Sequence, residues 1–209
     1  MIVLHNAFDD AYVFAADEVA AINRIGATSG CHTCGRRDPE TRSGNWIGDL
    51  QPPTAVNHSG KPQRIFPHCL TCQRIQAGYV FELRRKNGFA GEGLPRPSAV
   101  VLVTGDRDTF EPPRAERGKV VFASTAGVSI GCRSGMDGTT CLRLLDADDR
   151  ADADRPLFDG LIATPSRRLD VVTPDYRTLA TRLVRETEIR LRIWCDHAVE
   201  PDQVDIAIG

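Results

Sequence analysis

Residues 31–35 read CHTCG and residues 67–72 read PHCLTC. Each stretch carries a C-x-x-C unit, and 34 residues lie between the two units. Two thiolates at this spacing in a turn both reach a tetrahedral ion at about 2.3 Å, and two such knuckles close a structural zinc site on Cys31, Cys34, Cys69 and Cys72. Gly35 suits the tight turn after the first pair. Free buried thiols and a redox pair are the alternatives, and the redox pair wants a βαβ context that the flanking sequence does not offer. Four cysteines already complete the shell, so His32 and His68 are read as surface or outer residues rather than ligands.

Outward from the cysteines, the pattern predicts a helix over 17–25, with Asp17 as its cap and Gly26 ending it in a left-handed conformation. From 35 to 67 the chain is rich in Gly, Pro, Ser, Thr and Asn, with short apolar pieces at Trp46-Ile47 and Ile65-Phe66. That composition predicts loops around a small hairpin. LTCQRIQAGYVFELRRKNG (70–88) suits a helix up to Gly78 and a further turn or more before Gly88. A knuckle, a hairpin and a second knuckle that opens a helix make a treble-clef ββα zinc domain over residues 1–90. GFAGEGLPRPS (88–98), with three glycines and two prolines, is the candidate linker, bounded as 91–98.

Past the linker the pattern turns to β. AVVLVT (99–104), KVVFAS (119–124), GVSIGC (127–132), TTCLRLL (139–145), LFDGLIAT (157–164), RLDVV (168–172), IRLRIW (189–194) and VDIAI (204–208) are short runs rich in branched residues and bounded by turns. One helix is predicted among them, capped by Thr173, with Pro174 in its first turn and Tyr176, Leu179, Ala180, Leu183 and Val184 on one face. The expected fold is α+β: the zinc domain followed by a mostly antiparallel β domain, 99–209, carrying one helix.

The stretches GATSGCHTCG (26–35), TRSGNWIGDLQPPTAVN (41–57) and PQRIFPHCLTCQRIQAG (62–78) together resemble the zinc-stapled HNH/endonuclease VII nucleases, closest to the DHQPP-type branch found as toxin domains of bacterial polymorphic toxins. The resemblance covers about residues 18–80 and implies a metal-binding aspartate followed by a histidine that acts as general base. Asp49 stands at the aspartate position and Leu50 at the histidine position. Leucine has no lone pair and can neither accept a proton nor orient water. Where such nucleases offer a helix residue to the metal, this chain has Gln73 or Gln76, weak ligands for a divalent cation. His58, His32 and His68 are the histidines nearby, and each needs a rearranged site to serve; His58 is the candidate substitute base.

Several motifs outside that region are decoys. GVSIG (127–131) matches G-x-S-x-G, yet a turn-rich hairpin and not a helix follows Ser129. Cys132 and Cys141 are read as β core, and Cys195 and His197 as same-face residues on one strand. The acidic run Asp146, Asp148, Asp149, Asp152 and Asp154 is a solvated loop or a patch that mates with a basic surface. The closing pattern, EIRLRIWCDHAVEPDQVDIAIG, is distantly similar to the end of the competence protein J group and related small bacterial immunity proteins.

Composition narrows the setting. At 41% hydrophobic and 26% charged the chain suits a globular core, and no run approaches the ~18 apolar residues of a membrane span. The N-terminus lacks the pattern of a signal peptide, and seven cysteines do not read as a disulfide framework, so the expected location is the cytoplasm. Residues 36–96 hold 10 basic and 5 acidic side chains, which favours an anionic partner and makes Arg36, Arg37, Arg84, Arg85 and Lys86 candidate nucleic-acid or partner contacts. Leu50 and the glutamines lead to the expectation of a zinc-stabilised, catalytically degenerate protein. In a toxin and immunity context it would bind a nuclease toxin or nucleic acid as antidote or regulator. The alternative is an HNH-type endonuclease using Asp49, a displaced histidine and Mg²⁺ or Mn²⁺.

Overall fold

The computed structural model describes residues 14–57, 59–87, 99–149 and 155–209, and residues 2–4 by backbone. His58, the linker expected at 91–98, Asp152 and Asp154 lie outside the described residues.

Strand β1 (Ile2–Leu4) comes first, followed by helix α1 (Ala16–Ser29), the hairpin strands β2 (Ile47–Gln51) and β3 (Arg64–His68), and helix α2 (Leu70–Asn87). Glu18 accepts a hydrogen bond from the backbone N–H of Ala15 at 2.9 Å, half of a capping box, so α1 starts at Ala16 and not at a cap on Asp17. It runs through Gly26, where the Trp46 ring lies so close that a Cβ would meet it at 2.4 Å. The glycine that ends α1 is Gly30, at φ 78°, with Arg36 and Gly35 carbonyls against its open side. Phe14, Ile22, Trp46 and the cysteines Cys31, Cys69 and Cys72 share one small core. The order expected of a treble clef, knuckle, hairpin, knuckle and helix, is the order observed, and α2 continues nine residues beyond Gly78.

The remaining strands are β4 (Val100–Thr104), β5 (Val121–Ser124), β6 (Gly127–Gly131), β7 (Cys141–Asp146), β8 (Phe158–Ala163), β9 (Arg168–Val172), β10 (Thr178–Leu183), β11 (Glu188–Cys195) and β12 (Gln203–Ile208). They form two five-stranded sheets, β1-β7-β12-β11-β8 and β10-β9-β4-β6-β5. Every described ladder is antiparallel except β7 with β12. Alternate residues of the facing strands, among them Leu142, Leu144, Ile193 and Ile206 from one sheet and Val101, Val103, Ile130 and Leu169 from the other, fill the space between them.

The helix expected over 173–184 is a turn and a strand. Tyr176 N–H bonds the Thr173 carbonyl at 2.9 Å and Thr173 N–H bonds the Arg177 carbonyl at 2.9 Å. Tyr176 takes a left-handed φ of 74°, and β10 then pairs with β9 from Thr178 opposite Val172 to Leu183 opposite Arg168. The apolar residues that fit a helical face divide on the strand: Leu179, Ala180 and Val184 pack on the core, while Leu183 is 80% exposed. Pairing with the Val171-Val172 strand overrides the local helical spacing.

The two halves share structure through α2. Ala77 and Phe81 pack with Val100, Leu102, Phe110 and Val172, and Phe81 meets the Phe110 ring edge-on at 5.9 Å. One turn earlier the buried Arg74 guanidinium donates to the carbonyls of Ala99 (3.3 Å), Lys119 (3.2 Å), Cys132 (3.3 Å) and Val199 (2.6 Å). The fully buried Glu200 accepts from the backbone N–H of Arg42 at 2.6 Å and of Ser134 at 3.0 Å, one from each half. β2 is braced from behind, where Gly48 N–H points at Met136 Sδ, 3.1 Å away.

Candidate metal centres

The sulfurs of Cys31, Cys34, Cys69 and Cys72 lie within 4.8 Å of one another. Cys34 and Cys69 Sγ are 3.8 Å apart, the edge of about 3.8 Å that a tetrahedron with 2.3 Å metal–sulfur bonds has. The first knuckle closes through Gly35 N–H on the Cys31 carbonyl (2.8 Å) and Cys31 N–H on the Arg36 carbonyl (2.7 Å). His32 N–H on the Pro67 carbonyl (2.9 Å) ties it to the second knuckle. Burial raises the Cys69 thiol and pushes Cys72 up to about 12. Against desolvation, hydrogen bonds from the Arg36 backbone and the neighbouring cysteines lower Cys34, and four sulfurs held this close form a ready-made thiolate donor set, so the cluster fits zinc.

A second cluster sits against the first. Asp49 lies on β2 with its side chain buried, and His32 Nε2 donates to its Oδ2 at 2.8 Å. His68, the last residue of β3 and buried, brings Nδ1 to 3.8 Å from the same oxygen. The ligand atoms of His32, Asp49 and His68 all lie within 4.8 Å of one another. The two imidazoles are 4.7 Å apart between centroids, with their planes tilted by 45°. Gln51 Nε2 donates to Asp49 Oδ2 at 2.5 Å, and from the helix Gln76, not Gln73, donates to Oδ1 at 2.6 Å.

The knuckle histidines therefore stand in contact with Asp49 without any rearrangement, and His68 is not a surface residue. The strand pleat explains why neither is legible in the chain order. Asp49 and Leu50 point to opposite faces of β2, and the side of Asp49 is where residues flanking the clustered cysteines arrive. Thr33 Oγ1 lies 2.9 Å from His68 Nε2 and 3.4 Å from His32 Nε2. His68 Nδ1 has no hydrogen-bond partner although it is buried. Burial lowers the His68 imidazole to about 4, against the pull of Asp49, so the ring is neutral at neutral pH.

In the tautomer that carries its proton on Nε2, directed at Thr33, the Nδ1 lone pair faces a carboxylate oxygen 3.8 Å away. Two acceptors face each other stably when a cation lies between them. Metal–ligand bonds of 2.0–2.2 Å separate neighbouring ligand atoms by about 3.4 Å in a tetrahedron and about 3.0 Å in an octahedron, so the 3.8 Å gap stands near the tetrahedral spacing and would close by about 0.8 Å for the octahedral one.

The other candidate residues are placed elsewhere. Arg84 is buried with Nη1 on the Ala55 carbonyl at 2.7 Å, so it is not a surface contact for a phosphate. Arg85 donates to the Asp108 carbonyl at 2.8 Å, and Lys86 pairs with Glu82 at 2.7 Å. Arg36 and Arg37 are exposed beside the first knuckle. Ser129 lies buried in the middle of β6. Cys132 and Cys195 are pushed up to about 12, chiefly by burial. His197 lies beyond the end of β11, where Nδ1 accepts from the N–H groups of Val199 (3.1 Å) and Glu200 (3.2 Å), so it shares no strand with Cys195. Asp146 is ion-paired with Arg182, and Asp148 and Asp149 lie in a short 3₁₀ turn. Among the described residues no helix is long and apolar enough to cross a membrane.

The sequence matches no protein-family model and no curated protein. Among solved structures, it is similar to the crystal structure of ComJ, inhibitor of the DNA degrading activity of NucA, from Bacillus subtilis. The identity is 9% and the TM-score 0.39, over 53% of this chain and 86% of that chain. The fold is α+β, a helix-containing N-terminal region with a four-cysteine cluster joined to a β domain. Function at this distance is read from the residues of the site.

Proposed function

We propose that the protein is a metal-dependent phosphodiesterase of the HNH-like, zinc-stapled kind, acting at the cluster of His32, Asp49 and His68. The observation that carries the reading is the buried, partnerless His68 Nδ1 facing the Asp49 carboxylate, with a second imidazole 2.8 Å from that carboxylate. Asp49 and His68 would hold a divalent ion, which supplies Lewis-acid activation of the phosphate and of the attacking water. Few protein ligands suffice when substrate phosphate oxygens complete the shell. His32 is 24% exposed and oriented by Asp49, which places it to take the proton of the water, the role that Leu50 leaves vacant. Gln51 and Gln76 fix the carboxylate plane.

The test is incubation of the zinc-loaded chain with plasmid and Mg²⁺ or Mn²⁺. Cleavage that Asp49→Ala abolishes supports the reading, and intact plasmid in both ions overturns it.

A second reading is a degenerate scaffold that binds a nuclease as antidote. It is favoured by the three hydrogen bonds that already occupy Asp49, from His32, Gln51 and Gln76. It predicts no cleavage and protection of plasmid from an added metal-dependent nuclease.

A further inference from the structure

Thr33 is the middle of the first knuckle, between the zinc cysteines Cys31 and Cys34, yet its hydroxyl points out of the knuckle. It lies 2.9 Å from Nε2 of His68 and 3.4 Å from Nε2 of His32, one oxygen reaching both imidazoles of the second centre. His68 is 1% exposed, so no water supplies an alternative partner for Nε2. An imidazole that gives a lone pair to a cation through Nδ1 carries its proton on Nε2, and that proton needs an acceptor inside the protein. Among the described residues, the acceptor at hand is the Thr33 hydroxyl.

We propose that Thr33 is the positioning residue of the His32–Asp49–His68 centre: its hydroxyl accepts the Nε2 proton of His68 and so directs Nδ1 at the ion beside Asp49. This rests on the reading that the centre holds a divalent ion, and it adds a residue that the resemblance to nucleases does not supply. It also makes the first zinc knuckle the carrier of two working side chains, His32 and Thr33, with the backbone bond from His32 N–H to the Pro67 carbonyl fixing their distance to His68. A valine at 33 keeps the shape and leaves the Nε2 proton buried without an acceptor, whereas a serine keeps the acceptor.

The experiment is a titration of the full, zinc-loaded chain with Mn²⁺, which thiolates bind poorly, followed by the electron paramagnetic resonance of the free ion. Thr33→Val is expected to weaken Mn²⁺ binding by about 10- to 100-fold and Thr33→Ser to stay near the parent, with one zinc per chain in both. Equal affinity in the parent and Thr33→Val overturns the proposal while leaving the centre intact. Loss of zinc from Thr33→Val overturns it as well, because the hydroxyl then serves the knuckle. A parent chain that takes up no Mn²⁺ overturns the centre and the proposal with it, and a chain that binds Mn²⁺ but cleaves nothing refutes only the hydrolytic reading.

Discussion

Leu50 follows Asp49 in the chain and points away from it, while His32 is seventeen residues distant and touches it. The division of labour between the two histidines is open to a direct check. His32→Ala should retain Mn²⁺ uptake and lose about 10²- to 10⁴-fold in cleavage rate, whereas His68→Ala should lose the uptake itself, read by titration beside a plasmid assay. Gly26 gives a stability prediction of the same grain. In an open helix Gly→Ala stabilises by up to about 1 kcal/mol, but here the new methyl enters the Trp46 ring, so Gly26→Ala should destabilise by about 1–3 kcal/mol in a urea titration. The cysteines were legible because their spacing is itself the chemistry. The histidines were not, because their role arises where the two knuckles meet over one face of the hairpin.

Among the elements, α2 and β10 show where local pattern suffices and where it fails. The strands of the β domain were readable from branched runs between turns, since each half-buried strand carries its own period. The stretch 178–183 carried a helical spacing that the hairpin with β9 overrode, and its exposure gives the check: Leu183→Ser should change stability by no more than about 0.5 kcal/mol. In α2 the residue no pattern flags is Arg74, a charge on a buried helix face. Its desolvation lowers the guanidinium pKa, and four carbonyls from separate segments compensate. Arg74→Met leaves those carbonyls without a donor and should destabilise by about 3 kcal/mol or more, measured by denaturant unfolding.

For the whole molecule, α2 has two cysteines of the four-cysteine cluster at its start and the β-domain residues Val100, Leu102 and Phe110 against its middle. Removing zinc with a chelator should therefore lower the melting temperature of the entire chain in one calorimetric transition; two separate transitions would show that the shared core does not couple the halves. Sequence could not show that coupling, since Ala77 and Phe81 read equally well as the private core of a zinc domain. Another long-range feature, β1, bears on mechanics. Ile2–Leu4 pairs with β7 at the edge of the sheet that β12 extends, so the half with the four-cysteine cluster is an excursion that leaves one sheet and returns into the other at β4. A body joined to its neighbour at a single point swings; one moored at both ends can only rock. Tension applied between residues 4 and 100 would load the β1–β7 ladder as well as the α2 contacts, and the histidines would keep their aim until one of those moorings gave way.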